Sequence, residues 1–366
     1  MPEEIPRWRQ RFADNKEARD WNLTSLLMSL PLLVVGCYYY GAGALRNAVV
    51  AALTAVLCEL VTARLILRKR TIDDWNAVVT GVWIACMLPA DLLVKSTFPV
   101  PVYAAAGAVF AVLVVKTPFG GTMHAPFTPA AAGFAFLTVC FPKTVFNYLP
   151  SIEVPPPHGQ SLALMLQQGR SVMHIQERGR WVFDGKQLSG ILLGQTAGPM
   201  GAGCILLVAA ALLATLLLKK RRSAALVSLG FIGAMALMSF LLPRVTLPSQ
   251  ATGREALMIR LASMAMELCS GSLLFAAVYL LPDPAIMPQR WFTRLGFGAM
   301  AGLLCAALRQ MSSFEESVCF AILLADAFMP LLYRLQAELH SQKEFRERVE
   351  AMTAEERLEK EARHNA

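Results

Sequence analysis

The chain has 366 residues, 55% of them hydrophobic and 16% charged, with a formal net charge of +8. Soluble domains carry about 25% charged residues, so this composition excludes an ordinary water-soluble globule. The basic residues cluster in short connections between apolar runs, which argues against a nucleic-acid partner and for membrane orientation.

The opening residues, MPEEIPRWRQRFADNKEARD, are polar and basic for too long to be a cleavable signal peptide. They predict an arm over 1–20. Apolar segments follow at about 22–41, 45–67, 75–94, 99–116 and 127–142. A spanning helix needs about 20 mostly apolar residues; 99–116 is short for that, and 127–142 is interrupted at its start. Residues 143–197 are polar with turn signals and too long for a structureless loop, so they predict a small ordered module on the outer face. Further apolar segments lie at about 198–218, 224–242, 256–281, 294–309 and 315–335. A highly charged tail over 337–366 reads as a solvated extension. The expected fold is all-α and polytopic, with about ten transmembrane helices in two membrane repeats, 21–142 and 198–336.

Charge sets the orientation. Basic residues fill the arm (Arg7, Arg9, Arg11, Lys16, Arg19) and the connection holding Arg64, Arg68, Lys69 and Arg70. They also fill the run from Lys219 to Arg222 and the connection with Arg290 and Arg294. With ten spans all of these fall on one side, which the positive-inside tendency makes cytoplasmic, along with both termini. The eight cysteines form no C-x-x-C pair and read as small apolar helix residues. A metal shared with a partner subunit is the alternative for one or two of them.

The two halves echo each other. MLPADLLV leading to YAAAGAVFAVLVVKTPFGG resembles LLPDPAIM leading to GFGAMAGLLCAALRQMSSFEE. An odd number of spans per repeat inverts the second half, and inverted repeats place broken helices face to face near the midplane.

Acids at membrane depth are costly and mark either ion or proton handling or structural pairing. Glu59, Asp91, Glu267, Asp283 and Asp326 lie in or near apolar runs, with Glu267 and Asp326 the deepest. Asp91 and Asp283 each follow Leu-Pro and read as caps of helix breaks. A further break lies in GGTMHAPFTPAAAGFAF, residues 120–136. Gly120 and Gly121 are expected to allow close backbone approach, and Pro126 and Pro129 limit where the next helix begins. Thr122, His124 and Thr128 are candidates to meet freed backbone groups or a ligand. His124 lacks a second ligand for a metal nearby. LLGQTAGPMGAGC follows no strand and is not a dinucleotide fingerprint.

These segments together resemble the D subunit of Rnf electron-transport complexes, related to the B subunit of the sodium-pumping NADH:quinone reductase. GGTMHAPFTPAAAGFAF is similar to that family's Gly-Gly-Thr/Leu…Pro-Phe-Asn-Pro-Ala segment, with Thr128 in place of the asparagine. LCSGSLLFAAVYLLPDPAI, LLGQTAGPMG and RLGFGAMAGLLCAALRQMSSFEESVCFAILLADAFMPLL follow its other segments, and the likeness covers about residues 20–336. The resemblance implies a ten-span, urea- or ammonium-channel-like fold of two inverted five-helix repeats in the bacterial inner membrane. It implies a flavoprotein subunit with FMN attached to a hydroxyl in the outer loop. Its partners would be the other subunits of a complex moving electrons between ferredoxin and NAD with sodium or proton export. In the attachment motif Gly159 matches the glycine and Ser161 the acceptor, while Pro155, His158 and Gln160 depart from it. The departures argue against covalent FMN and for Ser161 as a surface-loop serine. A solute channel or carrier, or a non-redox scaffold on the same fold, is the alternative function.

Overall fold

The computed structural model describes residues 15–64, 74–92, 96–122, 124–148, 161–169, 174–177, 180–183, 185–245, 253–288, 290–311 and 314–334. Gly159 and the tail 337–366 lie outside the described residues. Those up to Asp326 belong to one compact unit, and the helical residues 327–334 belong to a second.

Helices α1 (Asn15–Tyr40) and α2 (Ala42–Thr62) are joined by Gly41 in a left-handed conformation. Helix α3 (Asn76–Met87) stops because Leu88 turns extended ahead of Pro89. Helix α4 (Val100–Phe110) starts with Pro101 in its first turn and widens into a π-helical stretch over Ala111–Lys116. Helix α5 (Pro129–Cys140) begins on a proline whose missing N–H costs nothing there. The short helices α6 (Pro142–Val145) and α7 (Leu162–Gln167) come next. They are followed by an antiparallel hairpin, β1 (His174–Glu177) with β2 (Arg180–Phe183), and by α8 (Gly185–Leu193). Residues 143–197 thus contain ordered elements.

The second half holds α9 (Ile205–Leu217), α10 (Arg222–Leu241) and α11 (Gly253–Cys269). Helix α12 (Leu273–Phe275) runs on as a π-helix over Ala276–Leu280 and is bent by 64° from α11. Helix α13 (Trp291–Met311) follows, and α14 covers 318–334. Five helices among the described residues are long and apolar enough to cross a membrane, or six if the bent pair counts as one span. The number is below the expected ten because α3, α5 and α9 are shorter apolar helices and the described helix 318–334 falls short of spanning length. Proline at 89 and at 129, and the glycine-rich 194–204 stretch, cut these runs.

Every break exposes backbone groups that need partners at depth. After α3, Asn47 donates from Nδ2 to the Pro89 and Ala90 carbonyls at 3.1 and 2.8 Å. The glycine-rich stretch lies against the same break. The Met200 and Gly201 N–H groups donate to the Leu88 and Cys86 carbonyls at 3.0 and 2.9 Å. The side chains of Asp91 and Asp283 accept from Leu92 N–H and Ala285 N–H, each at 2.9 Å.

Outward stripes are apolar. Leu53, Leu57 and Val61 share one face of α2 and are 58%, 60% and 53% exposed. Such a surface suits lipid and not water. Inward, Phe134, Phe231, Phe275 and Phe297 are fully buried. Helices α10 and α13 meet backbone to backbone through the Gly298-xxx-Gly302 pair, where small residues allow close crossing. A Cβ on Gly298 would overlap the Val227 carbonyl oxygen. Gly298→Ala should therefore lower stability by about 1–3 kcal/mol. Gly296, on the same helix with nothing within 4 Å of such a Cβ, should tolerate alanine or gain up to about 1 kcal/mol. Thermal unfolding of the two variants in detergent checks the contrast; equal melting would refute it.

Candidate functional site

The predicted site residues divide among three places. The first lies around Ser161, which caps α7 by accepting from Leu164 N–H at 3.1 Å. Its hydroxyl donates to a Glu315 carboxylate oxygen. Ser161 is only 5% exposed, which corrects its reading as a surface-loop serine. The reason is that α7 turns its apolar face inward: Leu162 and Leu166 pack with Ile191, Val245, Ile259 and Met266. Beside this cap lies a cavity of about 800 Å³, bordered by Leu164, Glu315, Lys143, Phe146 and Phe314 among others. Ser96, Thr97, Thr144, Asn147 and Gln167 add polar groups to its wall.

The second place is the break before α5. Gly120 and Gly121 have φ values of +93° and +108°. A Cβ would meet no neighbour within 4 Å at Gly121 and only His124 at Gly120. These glycines serve a left-handed turn and not the expected close approach. Thr122 donates to Asp74 Oδ2 at 2.7 Å, and Asp74 Oδ1 accepts from Asn76 N–H at 3.0 Å. Thr122 thus ties the turn to the start of α3. His124 is exposed. Thr128 is buried and gives both its N–H (2.9 Å) and its hydroxyl (3.0 Å) to Asp326 Oδ2. The other oxygen, Oδ1, is buried with no hydrogen-bond partner among the described residues. Lys116 is paired at 2.7 Å with Glu59, both almost fully buried.

The third place is the bend between α11 and α12. Glu267 accepts from Arg244 Nε with one oxygen and from Arg309 Nη1 (2.9 Å) with the other. Arg309 also donates to the Glu267 carbonyl at 3.2 Å, to the Ser270 carbonyl at 3.2 Å and to the Ser270 hydroxyl. These carbonyls are among those freed by the bend. Across it, Glu316 accepts from Ser272 N–H at 2.9 Å and from the Ser272 hydroxyl. Glu267 is saturated by two cations, which is the geometry of structural pairing.

Ser161 and Glu267 thus lie in adjoining places, since Leu162 and Leu166 pack with Met266 and Glu316 follows Glu315, and the structure does not gather Thr122, His124 and Ser161 into one site. Sequence reading did not single out Glu315, Arg244 or Lys143. The paired acids Glu315 and Glu316 at the head of a long apolar run were a usable signal, since acids there need partners. Lys143 carried none beyond its place after Phe141-Pro142.

Residues 10–340 match the sequence profile of the NQR2, RnfD, RnfE family. The chain is 26% identical over 344 residues to the D subunit of the ion-translocating oxidoreductase complex of Salmonella typhi, covering 85% of this chain and 90% of that protein. It is 27% identical over 337 residues to the same subunit of Salmonella typhimurium, with the same coverage.

Proposed function

Since this chain belongs to the NQR2, RnfD, RnfE family, we propose that it is the membrane subunit of an Rnf-type ion-translocating oxidoreductase complex. In this reading it lies in the bacterial inner membrane with both termini cytoplasmic, as ten spans in two inverted five-helix repeats. The complex would pass electrons between ferredoxin and NAD and export sodium or protons. The repeat is supported by packing: α2 lies on α3 and α4, and α10 lies likewise on α11 and α13. The observation that carries the ion-coupling role is Asp326, a buried acid with one oxygen unpaired among the described residues. A cation at depth needs such an oxygen, and Glu267 has none to spare.

The cavity beside Ser161 fits an FMN. Its volume of about 800 Å³ lies in the usual range of cofactor pockets, roughly 300–1,000 Å³. Lys143 suits a phosphate, while Phe146 and Phe314 suit a planar ring. A bound flavin would supply one- and two-electron transfer. Lys143 would hold its phosphate end, and Ser161 fixes Glu315 at the edge of the cavity. The departures at Pro155, His158 and Gln160, with the Ser161 hydroxyl engaged by Glu315 and Leu164, support a flavin held without a covalent bond. The purified complex should show flavin absorbance that is released on denaturation, with occupancy reduced at least about fivefold by Lys143→Glu. A fluorescent band for this subunit on a denaturing gel, lost in Ser161→Ala, would overturn the non-covalent reading. A complex with no flavin on this subunit would overturn the cofactor itself.

A further inference from the structure

A second cavity, of about 500 Å³, lies where the turn between α9 and α10 meets the start of α1. Its wall is two-sided in chemistry. Lys219, Lys220, Arg221 and Arg294 border it, and Asp20 is the one carboxylate on it among the described residues. Trp21, Leu23, Leu218 and Met287 make the apolar part.

The basic wall has a fixed floor. Arg221 is 7% exposed, lies 4.3 Å above the Trp21 ring and donates to the Ser25 hydroxyl at 2.7 Å and to the Trp21 carbonyl. Burial pulls its guanidinium down to about 10, still above neutral pH, so its charge persists. Arg294 is held by its Nε–H, which donates to the Pro288 carbonyl at 2.6 Å. By contrast, Lys219 and Lys220 are exposed, and Lys220 reaches Asp20 only at 3.8 Å. Fixed cations behind and exposed cations in front form a site for an anion, with the single Asp20 too little to neutralise them.

The apolar wall says which kind of anion. The cavity opens where apolar helices end, and the apolar surface continues out of it. Leu27, one turn beyond Leu23 on the same face of α1, is 56% exposed, and Leu217, next to Leu218, is 74% exposed. Trp291, three residues from Arg294, is 66% exposed, as suits an indole at a membrane interface. A soluble phosphate would use the cations and leave this surface unused. An amphiphile uses both.

We propose that this cavity binds the phosphate headgroup of an anionic phospholipid, with its acyl chains on the Leu23, Leu27 and Leu217 surface. Bound there, the lipid joins α1 to the α9–α10 turn and so links the first half of the chain to the second. Basic pockets between membrane helices are known lipid sites, and each nearby cation adds attraction for an anionic headgroup.

The test is native mass spectrometry of the full chain in mild detergent, titrated with phosphatidylglycerol or phosphatidylcholine. The expected result is retained phosphatidylglycerol adducts and weaker phosphatidylcholine binding. Lys219→Gln with Lys220→Gln, both exposed and so harmless to folding, should weaken phosphatidylglycerol by about fivefold per charge removed. Arg46→Gln removes an exposed cation that does not border the cavity and should change nothing. Equal binding of the two lipids, or equal phosphatidylglycerol binding by wild type and the double lysine variant, would overturn the proposal. Glycerol 3-phosphate serves as a competitor without acyl chains. If it displaces the lipid at equal concentration, the site takes a soluble phosphate and the lipid assignment is wrong.

Discussion

Glu267→Gln is expected to leave little folded protein. The substitution keeps the shape of the side chain and removes the carboxylate that sits between Arg244 and Arg309. Two guanidinium groups then face each other in a buried site, and Arg309 is itself only 2% exposed. Breaking a buried pair by removing one partner costs about 3–5 kcal/mol, a large share of a stability of about 5–15 kcal/mol. The damage spreads, because Arg309 also holds the carbonyls of Glu267 and Ser270 at the bend. Yield from detergent and thermal unfolding measure the loss. A Glu267→Gln protein that melts like wild type yet no longer transports ions would reverse the assignment and make Glu267 a carrier.

Asp326→Asn is expected to do the opposite. The amide oxygen can still accept the Thr128 N–H and hydroxyl, so the tie just ahead of α5 is kept. What is lost is a buried carboxylate with one oxygen unpaired among the described residues, and with it the capacity to attract a cation at depth. The assembled complex should fold and keep its electron transfer. Ion uptake into inverted vesicles should fall by about tenfold or more, on the scale that 1.4 kcal/mol sets. Thr128→Val, which removes only the hydroxyl, should have a smaller effect. Unchanged uptake in Asp326→Asn would remove Asp326 from the ion pathway.

The two acids show how far the sequence could be read. Both looked alike in it: single carboxylates in apolar runs, MAMELCSGS and LLADAFMP. Periodicity and composition located them at depth but could not separate pairing from ion handling. Their partners come from far along the chain: Arg244 and Arg309 are 23 and 42 residues from Glu267, and Thr128 is 198 from Asp326. Ser161 was found through the resemblance of its loop, yet its partner Glu315 is 154 residues away. Gly120 and Gly121 were recognised as a break, but only their dihedral angles showed that conformation, and not crowding, requires them.

Membrane character, most helical segments and the breaks at Pro89 and ahead of Pro129 were legible in the order of the residues, whereas the bend between α11 and α12, inside the run 256–281, was not. Those features depend on local chemistry: apolar runs near helix-spanning length, proline without an N–H, glycine free to adopt positive φ. Packing in three dimensions set which buried charge is neutralised, which oxygen stays open, and where cavities form. Such outcomes depend on which distant segments meet, and at membrane depth a carboxylate is defined by its partners because no water is there to stand in for them.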